Sequence, residues 1–181
     1  MYFDKPGIEN TEKTIELAIK IAKERNIKNI VVATSTGETT KYFKNTDDLN
    51  IVCVTHAYGF QEGGKIDITD DERKNLINKG FKVLTTTHAL SGAERGLSKK
   101  FGGISPIEIM AHTLRMFGQG TKVAVEIAIM ACDSGLIPYM EPVISIGGSS
   151  RGADTALILR SAHANNILDT KIDEIICKPI L

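Results

Sequence analysis

Apolar residues recur along this chain at two spacings, and their alternation sets the expected architecture. Between Thr11 and Arg25, the residues Ile15, Leu17, Ala18, Ile21 and Ala22 keep close to a 3.6-residue period, which predicts an amphipathic helix. Asn26 suits its end, because asparagine tolerates the left-handed backbone of a helix cap. The run Asn29–Ala33 is continuous and β-branched, the pattern of a strand covered on both faces. Ile51–Thr55 and Phe81–Thr85 read as two further strands, with a polar-faced segment before the former that offers one helix.

Helix starts are marked further along. Thr69-Asp70-Asp71-Glu72 has the form of a capping box, with Gly80 able to close the far end. Ser105-Pro106-Ile107-Glu108 joins an N-cap hydroxyl, a first-turn proline and a reciprocal glutamate, so a helix is expected to about Phe117, ended by Gly118. The segment 121–134 is apolar on most sides and predicts a buried helix. Val143–Ile146 and Ile172–Lys178 read as strands, whereas Ala153–Ala162 fits helix or strand, and periodicity does not choose. Helices and strands in this order call for an α/β fold with right-handed crossovers. No repeat or Pro/Gly linker divides the chain, so residues 1–181 are expected to form one domain.

Composition narrows the class. With 42% hydrophobic and 24% charged residues among 181, the chain is an ordinary globular sequence and not a disordered one. Twenty-two basic residues balance 22 acidic ones, which argues against bulk electrostatic attraction to nucleic acid or to an anionic membrane. Cys53, Cys132 and Cys177 are too few and scattered for a disulfide framework and suit a reducing compartment. The first residues lack a basic region followed by an apolar run, and Val123–Cys132 is too short to span a bilayer. A cytoplasmic protein is expected.

Two segments carry the candidate chemistry. The first, Thr34-Ser35-Thr36-Gly37-Glu38-Thr39-Thr40-Lys41, lies where the first strand gives way to the expected helix. Free N–H groups at a helix start favour an anion; Ser35, Thr36, Thr39 and Thr40 add hydroxyls, and Gly37 permits close approach. The same residues also suit plain helix capping, and the ending Gly-Lys-Ser/Thr of a Walker A loop is absent. The second segment runs from Ile146 to Thr155, with Gly147, Gly148 and Gly152, the guanidinium of Arg151, and then Asp154 and Thr155. Arg151 is suited to bidentate pairing with phosphate, although a Gly/Ser surface turn has the same composition. If the first and fourth strands are neighbours, both turns face one crevice at the carboxyl ends of the strands, where open α/β sheets bind ligands.

A third cluster, from His56 to Gly64, holds His56, Gly59 and Phe60; its rings would flank a planar ligand or simply pack in a loop. The long connection from Thr85 through His88 to Gly103 has the length of a lid or binding loop. Metal and nucleophile patterns are missing: Cys53 and His56 are three apart beside a strand, which ideal alternation sends to opposite faces. His112, four residues after Glu108, reads as a local ion pair or a packed ring, His163 has no obvious partner, and Cys132 reads as core. The run Asp70–Lys74 reads as a solvated helix face.

Taken together, Thr14–Lys20, Ile30–Thr40, Ile51–Thr55 and Pro142–Gly148 resemble the C-terminal domain of pyruvate kinase. More closely, the chain is similar to stand-alone archaeal proteins related to that domain. The resemblance implies a three-layer α/β/α sandwich with a mostly parallel sheet of order 3-2-1-4-5 and antiparallel C-terminal strands, which favours strand for Thr155–Ser161. In the kinase, the loop matching Ser35–Thr40 binds a phosphate of an allosteric sugar bisphosphate, and the stand-alone relatives are associated with flavin mononucleotide. Carried over, Ser35, Thr36, Gly37, Thr39 and Thr40 become phosphate-loop candidates. The implied function is binding of a small phosphorylated ligand, FMN foremost, in support of redox chemistry; the alternative is a non-catalytic sensor of a phosphorylated sugar or nucleotide. The kinase barrel is absent, so pyruvate kinase chemistry is not implied, while assembly into a homo-oligomer is.

Overall fold

A computed structural model describes residues 1–181. Seven strands form one sheet: β1 (Tyr2–Phe3), β2 (Asn29–Ala33), β3 (Asn50–Val54), β4 (Lys82–Leu84), β5 (Pro142–Gly147), β6 (Thr155–Arg160) and β7 (Lys171–Pro179). Their spatial order is β1-β7-β6-β5-β2-β3-β4. The stretch β4-β3-β2-β5 is parallel, β6 runs antiparallel to both β5 and β7, and β1 joins the outer edge parallel to β7. The expected order is therefore present, with Thr155–Arg160 as strand. The two-residue strand β1 is an addition; nothing in its own sequence announces it, because its hydrogen bonds come from β7.

Period-two alternation divides the sheet's side chains between two cores. Ile30 and Val32 of β2 pack on one face with Ile15, Ala18 and Ala22 of helix α1 (Thr11–Glu24). Val31 points the other way, into a second cluster with Ala124, Ala128 and Ile129 of α5 (Gln119–Asp133). Buried on both faces, the sheet needs no polar alternation, which is why its strands read as unbroken apolar runs. α1 ends as its sequence implies, with Asn26 at φ 54°.

The remaining helices are α2 (Asp70–Asn78), α3 (Ala93–Phe101) and α4 (Pro106–Arg115). The Thr69 hydroxyl caps α2 by accepting the Glu72 N–H at 3.1 Å, and Gly80 takes φ 86° just beyond it. At α4, the Ser105 N–H donates to the Glu108 carboxylate at 2.9 Å, the reciprocal contact expected there. Two expectations need correction. The segment between β2 and β3 supplies only a 3₁₀ helix, Glu38–Tyr42, too short to carry the dipole assumed for it. The connection after His88 is also not an open loop throughout, since it contains α3. No helix is long and apolar enough to cross a membrane.

Candidate ligand site at the carboxyl edge of the sheet

The strand order diverges between β2 and β5, which lie side by side with Val32 opposite Ile146. From β2 the chain moves to β3 on one side; from β5 it moves to β6 on the other. The turns after β2 and β5 therefore leave neighbouring strand ends, the position at which open α/β sheets form a crevice.

The turn after β2 is partly committed to itself. The Gly37 N–H donates to Thr34 Oγ1 at 3.0 Å, and the Thr40 hydroxyl donates to the Gly37 carbonyl at 2.7 Å. Thr39 and Thr40 are buried. Gly37 sits at φ 91° with the Glu72 side chain against it, so a Cβ there would lie 2.7 Å from Glu72 Oε1. A phosphate at Gly37 would meet that carboxylate. Ser35 and Thr36 differ: their N–H groups and hydroxyls have no partner within the protein, and Thr36 is exposed. Of the five residues picked out by sequence, Gly37 and Thr40 thus spend donors inside the turn, whereas Ser35, Thr36 and the hydroxyl of buried Thr39 do not.

The turn after β5 is built around its own anion. Buried Asp154 accepts the Ser149 N–H at 3.2 Å and the Gly7 N–H at 3.3 Å through Oδ2, and the Thr155 hydroxyl at 2.8 Å through Oδ1. Asp154 and the Thr155 hydroxyl therefore spend these polar atoms inside the turn. The glycines serve backbone contacts. A Cβ on Gly147 would stand 2.3 Å from the Gly120 carbonyl, and one on Gly148 would stand 2.1 Å from the Gly152 carbonyl. Gly152 is in the left-handed region at φ 77°, close over Thr11 and Ile8. Arg151 projects beside exposed Ser150, and it forms no ion pair.

Beyond β3, the ring cluster forms. His56 stacks on Phe60 with centroids 4.2 Å apart and planes at 26°, and His88 lies 4.9 Å from Phe60. His56 Nδ1 is 2.6 Å from Asp67 Oδ2, a contact that fixes the ring and leaves Nε2 for another partner. Gly59, at φ 75°, makes the turn whose N–H reaches the Lys65 carbonyl at 2.8 Å. The Ala57 N–H donates to His88 Nε2 at 3.4 Å, a bond that needs a neutral ring. Burial holds the His88 imidazole below its ordinary range, opposed by the Glu126 carboxylate and reinforced by Lys122.

Sequence reasoning missed the groups that support these rings. Lys122 and Glu126 form a buried ion pair at i,i+4 on α5, and Glu126 Oε1 also accepts the Leu90 N–H at 2.9 Å. The pair ties the His88 loop to the helix. Burial lowers the Lys122 pKa, while Glu126 acts to raise it. The spacing was visible, but inside an apolar helix it had no apparent target. Arg73, read as part of a solvated face, donates to Thr85 Oγ1 at 2.7 Å, and Thr85 lies 2.7 Å from Thr55 Oγ1. These two hydroxyls join the ends of β3 and β4.

Other candidates fall away from the edge. Cys53 is fully buried and its thiol is pushed up to about 12 by burial. His112 is exposed and forms no ion pair with Glu108, whose carboxylate instead accepts from Ser98 at 2.7 Å. His163 does have partners: Asp133 Oδ1 at 2.9 Å and a stacked Tyr139 ring at 5.1 Å. Cys132 Sγ is 3.8 Å from the same His163 nitrogen that holds Asp133, so the three do not form a nucleophile–base–carboxylate relay. Burial and Asp133 raise the Cys132 thiol pKa.

Residues 12–159 match the family model described as "Pyruvate kinase, alpha/beta domain". The chain belongs to this family. The matched stretch contains both turns and the ring cluster. A structure of Cryptosporidium parvum pyruvate kinase in complex with ADP is similar at 18% identity and a TM-score of 0.44, over 87% of this chain and 25% of that one. The alpha/beta-domain chain thus corresponds to about a quarter of that kinase's length.

Proposed function

We propose that the protein binds a phosphorylated ligand with a planar ring, flavin mononucleotide foremost, across the carboxyl ends of β5, β2 and β3. The supporting observation is the distribution of unpaired groups along that edge. Ser35 and Thr36 lie after the middle strand, flanked by Arg151 after β5 and the His56–Phe60 stack after β3. Two strand spacings, about 10 Å, separate the outer positions, a span that suits a phosphate at one end and a ring at the other.

In this reading Ser35, Thr36 and Arg151 would hold the phosphate. Hydroxyls and N–H groups supply directional donors, and the guanidinium supplies charge. The outer face of Phe60, 46% exposed, offers a platform for a flat ring. A bound flavin would supply its own hydride or electron chemistry. His56, fixed through Nδ1 by Asp67, would hold or move a proton at Nε2.

A second reading, a non-catalytic sensor of a phosphorylated sugar or nucleotide, is favoured by the mutual stacking of His56, Phe60 and His88. Their inner faces are already occupied by one another.

The visible spectrum of freshly purified protein, before and after denaturation, separates the two. Released flavin, with FMN binding more tightly than riboflavin in calorimetry, is the expected result, and Arg151→Ala should weaken FMN roughly tenfold without unfolding the domain. Colourless protein that binds sugar phosphates but not FMN would favour the sensor. Equal affinity for FMN and riboflavin would remove the phosphate site.

A further inference from the structure

The first turn of α2 crosses the carboxyl edge of the sheet. Glu72 lies against Gly37 in the turn after β2, and the next residue, Arg73, reaches Thr85 at the end of β4. β3 stands between those two strands, so this helical turn passes the strand end that leads into His56 and Phe60. Three contacts set the position of Glu72. Its N–H donates to Thr69 Oγ1 at 3.1 Å, and Asn75 Nδ2 donates to its Oε2 at 3.2 Å. Its side chain also fills the space that a Cβ on Gly37 would take, with Oε1 2.7 Å from that point. Oε1 itself has no hydrogen-bond partner in the protein. The neighbouring cation, Lys41, is held by Glu38 at 2.6 Å. Glu72 is half-buried, so one oriented acceptor waits for a donor that the chain does not supply.

We propose that Glu72 Oε1 accepts a hydrogen bond from a ligand hydroxyl, and that the ligand is therefore a polyol phosphate, with hydroxyls on the chain that links its phosphate to its ring. The inference rests on the function proposed above and supplies the middle of that ligand. Position supports it. Ser35 and Thr36, with their free donors, directly precede Gly37, and the rings follow the next strand, so Oε1 stands between the two ends. Charge supports it as well. A carboxylate repels a phosphate but accepts from a neutral hydroxyl, so Glu72 turns the phosphate toward Arg151 and keeps the hydroxylated segment beside itself.

Calorimetry on the full chain, with EDTA present to remove bridging cations, tests this with two pairs of probes. One pair is FMN and its analogue with an unhydroxylated phosphopentyl chain; the other is ribitol 5-phosphate and pentyl phosphate. The wild type should prefer the hydroxylated member roughly tenfold or more, as one hydrogen bond to a charged acceptor implies. Glu72→Ala keeps the N–H that Thr69 caps, so thermal melts should change little while the preference largely disappears. Glu72→Gln, which retains an acceptor oxygen, should keep part of it. If Glu72→Ala does not fold, Asn75→Ala, which releases Oε2, should reduce the preference instead. A wild type that binds a phosphate probe without regard to its hydroxyls overturns the proposal and leaves the phosphate site standing. So does a preference that survives in folded Glu72→Ala, or in Asn75→Ala where that variant replaces it. Binding of none of the four probes overturns both the proposal and the function on which it rests.

Discussion

The turns after β2 and β5 have similar compositions and neighbouring positions, yet the fold uses them differently. In the turn after β5, glycines stand where backbone passes backbone, and Asp154 takes the N–H groups that an incoming anion would need. In the turn after β2, the glycine faces only the flexible Glu72 side chain, and Ser35 and Thr36 keep their donors. A Gly/Ser/Thr-rich turn at a strand end is therefore not itself a ligand site. What decides is whether the protein supplies the turn's acceptor internally.

Substitutions at the two glycines should break this symmetry most clearly. Gly147→Ala would force a Cβ to 2.3 Å from the Gly120 carbonyl and 2.9 Å from the Ala124 nitrogen, both helix backbone. Chemical denaturation should show a loss of about 3 kcal/mol or more. Gly37→Ala should cost less, about 1–2 kcal/mol for the positive φ, because the nearest atoms belong to a side chain that can swing away. Equal losses at the two sites would contradict the distinction drawn between them.

The smallest effect concerns the rings beside the open turn. His88 is held below its ordinary pKa by burial, so on acidification the unfolded chain takes up that proton before the folded one. Stability should therefore be complete above the unfolded value, about 6.5, and decline as pH falls from there toward the lowered folded value. Thermal melts at pH 7.5 and 5.5 should show a small decrease that shrinks in His88→Gln. An unchanged pH response in that variant would assign the proton elsewhere.

Much of the architecture was legible locally. Asn26 and Gly80 mark chain reversals after helices because a positive φ has few acceptable residues. The apolar runs of β2, β3 and β5 marked a sheet buried on both faces. The site was less legible. Ser35, Thr36 and Arg151 were identifiable as donors, but Asp154 was grouped with them although it is the acceptor that closes its own turn. Asp67 lies 11 residues from His56, in a segment with no periodicity to link them. α3 was hidden because Gly96 and four charged residues weaken a nine-residue pattern.

The sequence by itself determined the alternation of helices and strands, the double-faced core and the family, since these follow from local spacing and residue type. Only the tertiary structure decided which polar groups remain free. Whether a hydroxyl or N–H is available depends on acceptors brought from distant parts of the chain, as Gly7 and Asp154 are across 147 positions. Hydrogen bonding acts over about 3 Å, so that availability is set by proximity in space and leaves no periodic trace along the chain.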